Sequence, residues 1–186
     1  MSTAIEALMH EHRIIEKVLE ALERFSDAVA KGDKVERARI REFADFFRNF
    51  ADRCHHGKEE DRLFAAMIEH GFARDRGPIA VMLEEHRTGR EHVGALARIG
   101  ESDGPLTEDE RRRLCSHALA YAALLKAHIQ KEDNILYPMA LGALPAQVMV
   151  RLKKEFDEFE KQVMGEGTHE RYHELARRLA DAFQDA

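Results

Sequence analysis

The sequence predicts an all-α protein: an up-down-up-down four-helix bundle over residues 1–141, followed by a C-terminal helical hairpin over residues 142–186. Three observations predict it. Apolar residues recur in alternating steps of three and four along four long segments, the spacing of one buried helical face. The stop and start signals between segments lie close together, and short connections make consecutive helices antiparallel neighbours. Finally, three of these faces each place a histidine where an apolar residue belongs, and the up-down order brings them to one end with a fourth polar group.

The first segment runs from about Thr3 to Lys31, with Ile5, Leu8, Ile15, Leu19 and Leu22 on one face and His12 in the remaining slot. In "KGD", Gly32 suits the position just past the helix and Asp33 the N-cap of the next one. The second segment, about Lys34 to His70, carries Ile40, Phe43, Phe47, Phe50 and Cys54, then "HHGKEEDRLF", and stops at Gly71. The third begins at "GPIAVML", with Pro78 in the first turn, and its face is Ile79, Met82, His86, Gly89, Val93 and Leu96. The fourth begins at "TEDE", where Thr107 and Glu110 form a capping box; its face is Leu114, Ala118, Tyr121, Leu125, His128, Glu132, Ile135 and Met139. Two shorter amphipathic segments follow. Val148, Leu152, Phe156, Phe159 and Val163 mark one from about Pro145 to Met164, and Tyr172, Leu175, Leu179 and Phe183 mark another from about Thr168 to Gln184. They read as a hairpin that covers the bundle or forms a dimer interface.

Composition narrows the function. A net charge of −6 argues against nucleic acid and anionic membranes as partners. The densest basic run, Arg111–Arg113, follows Glu108–Asp109–Glu110, as on a solvated helix face. The first residues contain no apolar leader, and no stretch approaches ~18 uninterrupted apolar residues, so a cytoplasmic protein is expected. Cys54 and Cys115 form no disulfide framework and read as reduced thiols.

His12 and His86 each lie roughly 8–10 residues inside their helix starts, and His128 about 13 before its helix ends; at ~1.5 Å per residue these depths agree within a few turns. "HHGKEE" at 55–60 lies at the same end. A helix can turn only one member of each pair toward a given neighbour. The positions four and eight before His55 are Ala51 and Phe47, on the core side, whereas His56 follows the polar Arg53, Asp52 and Asn49. Aligning "HHGKEEDRLF" with "HIQKEDNILY" also sets His55 beside His128, Lys58 beside Lys131, Glu59 beside Glu132 and Phe64 beside Tyr137. Both observations favour His55 and Glu59, although His56 and Glu60 satisfy the same spacing. Each H-x3-E unit puts an imidazole and a carboxylate on one helix face. Two such units with His12 and His86 suit two metal ions, both carboxylates bridging, and mixed nitrogen and oxygen donors point to iron before manganese or zinc. Without a cation, burying those carboxylates is costly. Gly57, unfavourable inside a helix by about 1 kcal/mol against alanine, is easier to understand if something approaches closely there.

The stretches "EHRIIEKVLEAL", "HHGKEEDRLF", "GPIAVMLEEHRTGR" and "HIQKEDNILYPMA" together resemble the hemerythrin-like family, also called the HHE cation-binding domain. The resemblance implies a non-haem di-iron site: two iron ions, joined by a bridging oxo or hydroxo group, held by His12, His55, Glu59, His86, His128 and Glu132. Oxygen-carrying members have a second histidine one turn away on the third helix, where this chain has Met82 and Arg90, with His92 pointing elsewhere. Their second carboxylate is an aspartate five residues after its histidine; here Glu132 is four after His128. Ala65 replaces a usual proline, while Pro138 retains its counterpart. The site is thus expected to be more symmetric, with more open positions.

The first functional expectation is a protein that binds or reacts with a small oxidant (oxygen, peroxide or nitric oxide) in stress defence. Its partner is a diatomic ligand or peroxide, the chain is a monomer or homodimer, and peroxide- or nitric-oxide-consuming activity is left open. The alternative is an iron store, donor or iron/redox sensor related to iron-centre repair. A purely structural bundle would melt unchanged after chelation. A ferritin-like enzyme would need Glu-x-x-His on two core helices, and the clearest instance, Glu170–His173, lies on the last helix. Tyr121, two turns before His128, is a candidate gate or hydrogen-bond donor behind the ligands; His56 and Glu60 face water or support the ligands in the same way. His117 and His10 are minor candidates, His10 standing in for His12.

Overall fold

The computed structural model describes residues 3–165 and 167–183. Among them there are six helices and no strand: α1 (Ala4–Ala30), α2 (37–69), α3 (Gly77–Glu101), α4 (108–143), α5 (Ala146–Met164) and α6 (Thr168–Asp181). Gln184, where the last predicted helix ended, lies outside the described residues. No helix is long and apolar enough to cross a membrane among the described residues.

Helix boundaries follow local chemistry. Thr3 and Glu6 cap α1 reciprocally, and Thr107 and Glu110 do the same for α4. Gly32, at φ +89°, ends α1 in a conformation that side chains disfavour. Asp33 does not cap α2: its N–H bonds back to Ala28 O at 3.1 Å, so it completes the end of α1, and α2 starts only at Arg37. Buried Arg37 then donates to Gly104 O at 2.7 Å and to Glu110 at 2.8 Å, tying the start of α2 to the start of α4.

α1 packs on α4, α4 on α3 and α3 on α2, while the middle of α2 closes on α1. Two apolar clusters result. One joins the starts of α1 and α3 to the ends of α2 and α4 through Leu8, Met82, Met67 and Ala140. The other joins the opposite ends through Val29, Ile40, Leu96 and Leu114. Between them lies a layer of buried histidines and glutamates. Helices α5 and α6 lie across α1 and α2, burying Leu152 and Phe156 in the first cluster and Tyr172 and Leu179 in the second.

Two helices depart from ordinary α geometry beside that layer. In α2, Phe47–His56 and Glu59–Leu63 are π-helical, with Gly57 N–H bonding to Asp52 O and Phe64 N–H to Glu59 O, five residues back. In α4, Glu132–Leu136 is π-helical, and Tyr137 N–H bonds to Glu132 O. The extra residue per turn corrects the predicted face of α4. Its apolar register holds through Glu132, but beyond it Leu136 and Ala140 are buried while Ile135 is 52% exposed and Met139 also faces solvent.

Gly57 also has a different explanation from a nearby metal. A Cβ there would come within 2.7 Å of the Phe159 ring, so its missing side chain lets α5 lie against α2.

Candidate metal centre

Five imidazoles and two carboxylates meet in the polar layer. His12 comes from α1, His55, His56 and Glu59 from α2, His86 from α3, and His128 and Glu132 from α4. One donor atom from each of His12, His55, Glu59 and Glu132 lies within 4.8 Å of the others. The same is true of His56, Glu59, His86 and His128, so Glu59 belongs to both groups. Glu132 also spans them, with Oε2 3.2 Å from His12 Nε2 and Oε1 3.2 Å from His128 Nε2.

His56 is where this arrangement departs from expectation. It does not face water: it is 4% exposed and its ring stacks on His86 at 3.8 Å, with 13° between planes. The π-helical stretch supplies the reason. With more residues per turn, consecutive side chains are separated by a smaller angle, so both members of the His55–His56 pair reach the interior. The second histidine that α3 lacks is thereby contributed by α2. Glu60, by contrast, stays outside the cluster and accepts from His86 Nδ1 at 2.7 Å.

Four supporting units repeat around the layer. His55 Nδ1 donates to Glu11 of α1 at 2.8 Å, His86 Nδ1 to Glu60 of α2, His128 Nδ1 to Glu85 of α3 at 2.9 Å, and His12 Nδ1 to Asp133 of α4 at 2.8 Å. In each unit a cation from the histidine's own helix holds the carboxylate: Lys58 on Glu11, Arg90 on Glu60, Lys131 on Glu85 and Arg13 on Asp133. His56 is oriented within its own helix, Nδ1 lying 3.4 Å from Asp52. Ionised carboxylates only accept, so each Nδ1 carries a proton and Nε2 is the nitrogen left to face the centre, where it offers a lone pair whenever the ring is neutral. Such carboxylate–histidine units fix ring orientation and raise basicity toward a metal.

The interior donors are left wanting a cation. His55 Nε2 and Glu59 Oε2 are buried without a hydrogen-bond partner among the described residues, each at a cost of about 1–3 kcal/mol, and the Glu132 oxygens face only the His12 and His128 rings at 3.2 Å. His86 Nε2 faces His128 Nε2 at 3.0 Å, two lone pairs that repel unless a proton or metal lies between. Burial pushes His55 down to about 3 despite Glu11. Burial, with His56 and His128 nearby, likewise holds His86 well below its usual range. Burial and the charge of Glu132 push Glu59 well above the carboxylate range. Burial would also raise Glu132, but the His128 and His12 rings hold it low. Against burial, Glu132 and Glu85 raise His128 to about 9. Without a metal, protons thus supply the positive charge that the carboxylates require. The donor chemistry fits divalent cations with mixed nitrogen and oxygen ligands.

Aromatic rings close the layer. Tyr137 stacks on His12 at 5.4 Å and donates to Glu59 Oε1 at 2.7 Å; Phe64, its counterpart in α2, lies parallel to His86 at 6.1 Å. Tyr121 is buried edge-on against Phe47 and lines a cavity beside His56 and His86. His117 pairs with His92 across α3 and α4 at 3.0 Å, away from the layer. His10 is exposed and faces His173 of α6, with ring centroids 6.2 Å apart, so neither it nor the Glu170–His173 pair joins the cluster. The units containing Glu11, Glu85 and Asp133 escape sequence reasoning, yet these residues flank His12, His86 and Glu132 directly. Each supports a histidine on the next helix, a relation that sequence spacing does not carry.

An uncharacterised protein of Mycobacterium tuberculosis and another of Mycobacterium bovis are each 22% identical to the chain over 164 residues, covering 88% of it. The chain spans less than two thirds of those relatives, 64% of their length. The iron-sulfur cluster repair protein YtfE of Edwardsiella ictaluri is 33% identical over 90 residues, 47% of this chain and 41% of that protein. No solved structure matches at a comparable level of significance. The Hemerythrin HHE cation binding domain profile matches residues 3–140, a span that holds all seven clustered donors and their supporting carboxylates. The chain therefore belongs to the hemerythrin HHE cation-binding domain family.

Proposed function

We propose that this chain is a non-haem di-iron protein built on an up-down-up-down four-helix bundle, and that it binds or reacts with a small oxidant (oxygen, peroxide or nitric oxide) in stress defence. The observation that carries this reading is the pair of four-residue donor groups sharing Glu59. His12, His55, Glu59 and Glu132 would hold one ion, and His56, His86, His128 and Glu59 the other. Two such ions supply one-electron redox steps and open coordination positions for a small molecule. The protein's share is to direct each Nε2 at the centre through its carboxylate partner, to flank the centre with two apolar clusters, and to donate a hydrogen bond from Tyr137 to Glu59.

A second reading, iron donor or sensor in iron-centre repair, is favoured by the partial likeness to the YtfE repair protein. Anaerobic reconstitution with ferrous iron separates the two. The first reading expects uptake of an iron pair, then binding or consumption of oxygen, peroxide or nitric oxide with a change in the visible spectrum. The second expects iron to pass readily to an acceptor protein without such turnover. A chain that takes up no metal sinks both.

A further inference from the structure

The two halves of the donor layer are unequally enclosed. On one side Tyr137 stacks on His12, and a cavity of about 390 Å³ between α1, α2, α5 and α6 ends at Glu11 and Lys58 without touching any of the seven donors. On the other side His56 and His86 form the floor of a cavity of about 130 Å³ between α2, α3 and α4. A water molecule's share of liquid volume is about 30 Å³, so this space admits a molecule of a few heavy atoms.

Its walls follow from the sequence of α3. Tyr121 fills the side facing Gly89, where a Cβ would lie 3.3 Å from the ring, so the missing side chain gives the phenol its place. A Cβ at Gly94 would meet Arg98 Nη1 at 3.4 Å and no backbone, so on that side the cavity is bounded by the end of one long side chain. Arg90 bridges Asp52 at 2.8 Å and Glu60 at 2.7 Å. Those carboxylates face Nδ1 of His56 and His86, so one guanidinium ties the cavity rim to the rings on its floor.

The geometry points to a route: a small exogenous ligand reaches the metal pair through the α2–α3–α4 cavity, the one of the two that touches donors, and meets the His56–His86 side first, passing Gly94 and the end of the Arg98 side chain. This rests on the metal-pair reading above. The test uses the full chain reconstituted with iron, metal content measured first, and azide as the probe, its binding followed by stopped-flow absorbance. Gly94→Leu fills the passage from a position that touches no donor, and Arg48→Trp covers its rim from an exposed site. Both are expected to keep full metal content while the azide on-rate falls by about tenfold, because entrance then requires a conformational change. Val150→Trp, on the exposed face of α5, is expected to leave the rate unchanged. Full metal content with an unchanged rate in both passage variants overturns the route alone, as does slowing by Val150→Trp. Failure of the wild-type chain to take up metal overturns the metal-pair reading and the route with it.

Discussion

His56 shows how much turns on one ring. Placed in water, it would be dispensable; stacked on His86 inside the layer, it is a donor to one of the two groups. Metal content of His55→Ala and His56→Ala is therefore expected to fall in both variants, measured by elemental analysis after reconstitution. Retention of full metal by His56→Ala would remove it from the site. The carboxylates behind the rings act more gently. Glu85→Ala is expected to weaken metal binding by about 10–100-fold without removing a donor, because His128 loses the partner that fixes its tautomer. A competition titration with a chelator reads that loss.

At the scale of the helix, the π-helical turns decide which residues face inward. They rotate the end of α4 so that Leu136 rather than Ile135 is buried. Leu136→Ala is accordingly expected to cost about 2–5 kcal/mol, whereas Ile135→Lys should stay within about 0.5 kcal/mol. Urea denaturation of the two variants compares them directly, and equal losses would contradict the register. In α2, helix propensity favours Gly57→Ala by about 1 kcal/mol, but the added methyl runs into Phe159 at 2.7 Å. Overpacking of this kind costs about 1–3 kcal/mol, so a net loss is expected, relieved when Phe159→Leu is combined with it. A double-mutant cycle measures the coupling.

Over the whole molecule, the polar layer divides the core and is offset by what surrounds it. Apolar clusters lie on both sides, and four histidine–carboxylate–cation units link α1 to α2, α2 to α3, α3 to α4 and α4 back to α1. The apo chain should remain folded on its clusters, while metal adds stability by mass action. At a free metal concentration 100 times its Kd that gain is about 2.7 kcal/mol, and each kcal/mol moves the Tm of a chain this size by about 2–4 °C. Calorimetry before and after chelation checks this; an unchanged Tm would mean that the donors hold no metal in the folded state.

The sequence by itself determined the helical faces, most of their boundaries and six of the seven clustered donors, because these depend on spacing along one helix and a period of 3.6 residues. Its apolar register was legible until the helices stopped having that period. Only the tertiary structure decided that α2 and α4 widen beside the layer, which brings His56 inside and turns Ile135 out. It alone also placed Glu11, Glu85 and Asp133 behind histidines of neighbouring helices, and it chose for Glu60 between water and the His86 ring. The physical reason is common to both: hydrogen bonds five residues apart and carboxylates reaching across helices are set by packing, which local spacing does not record.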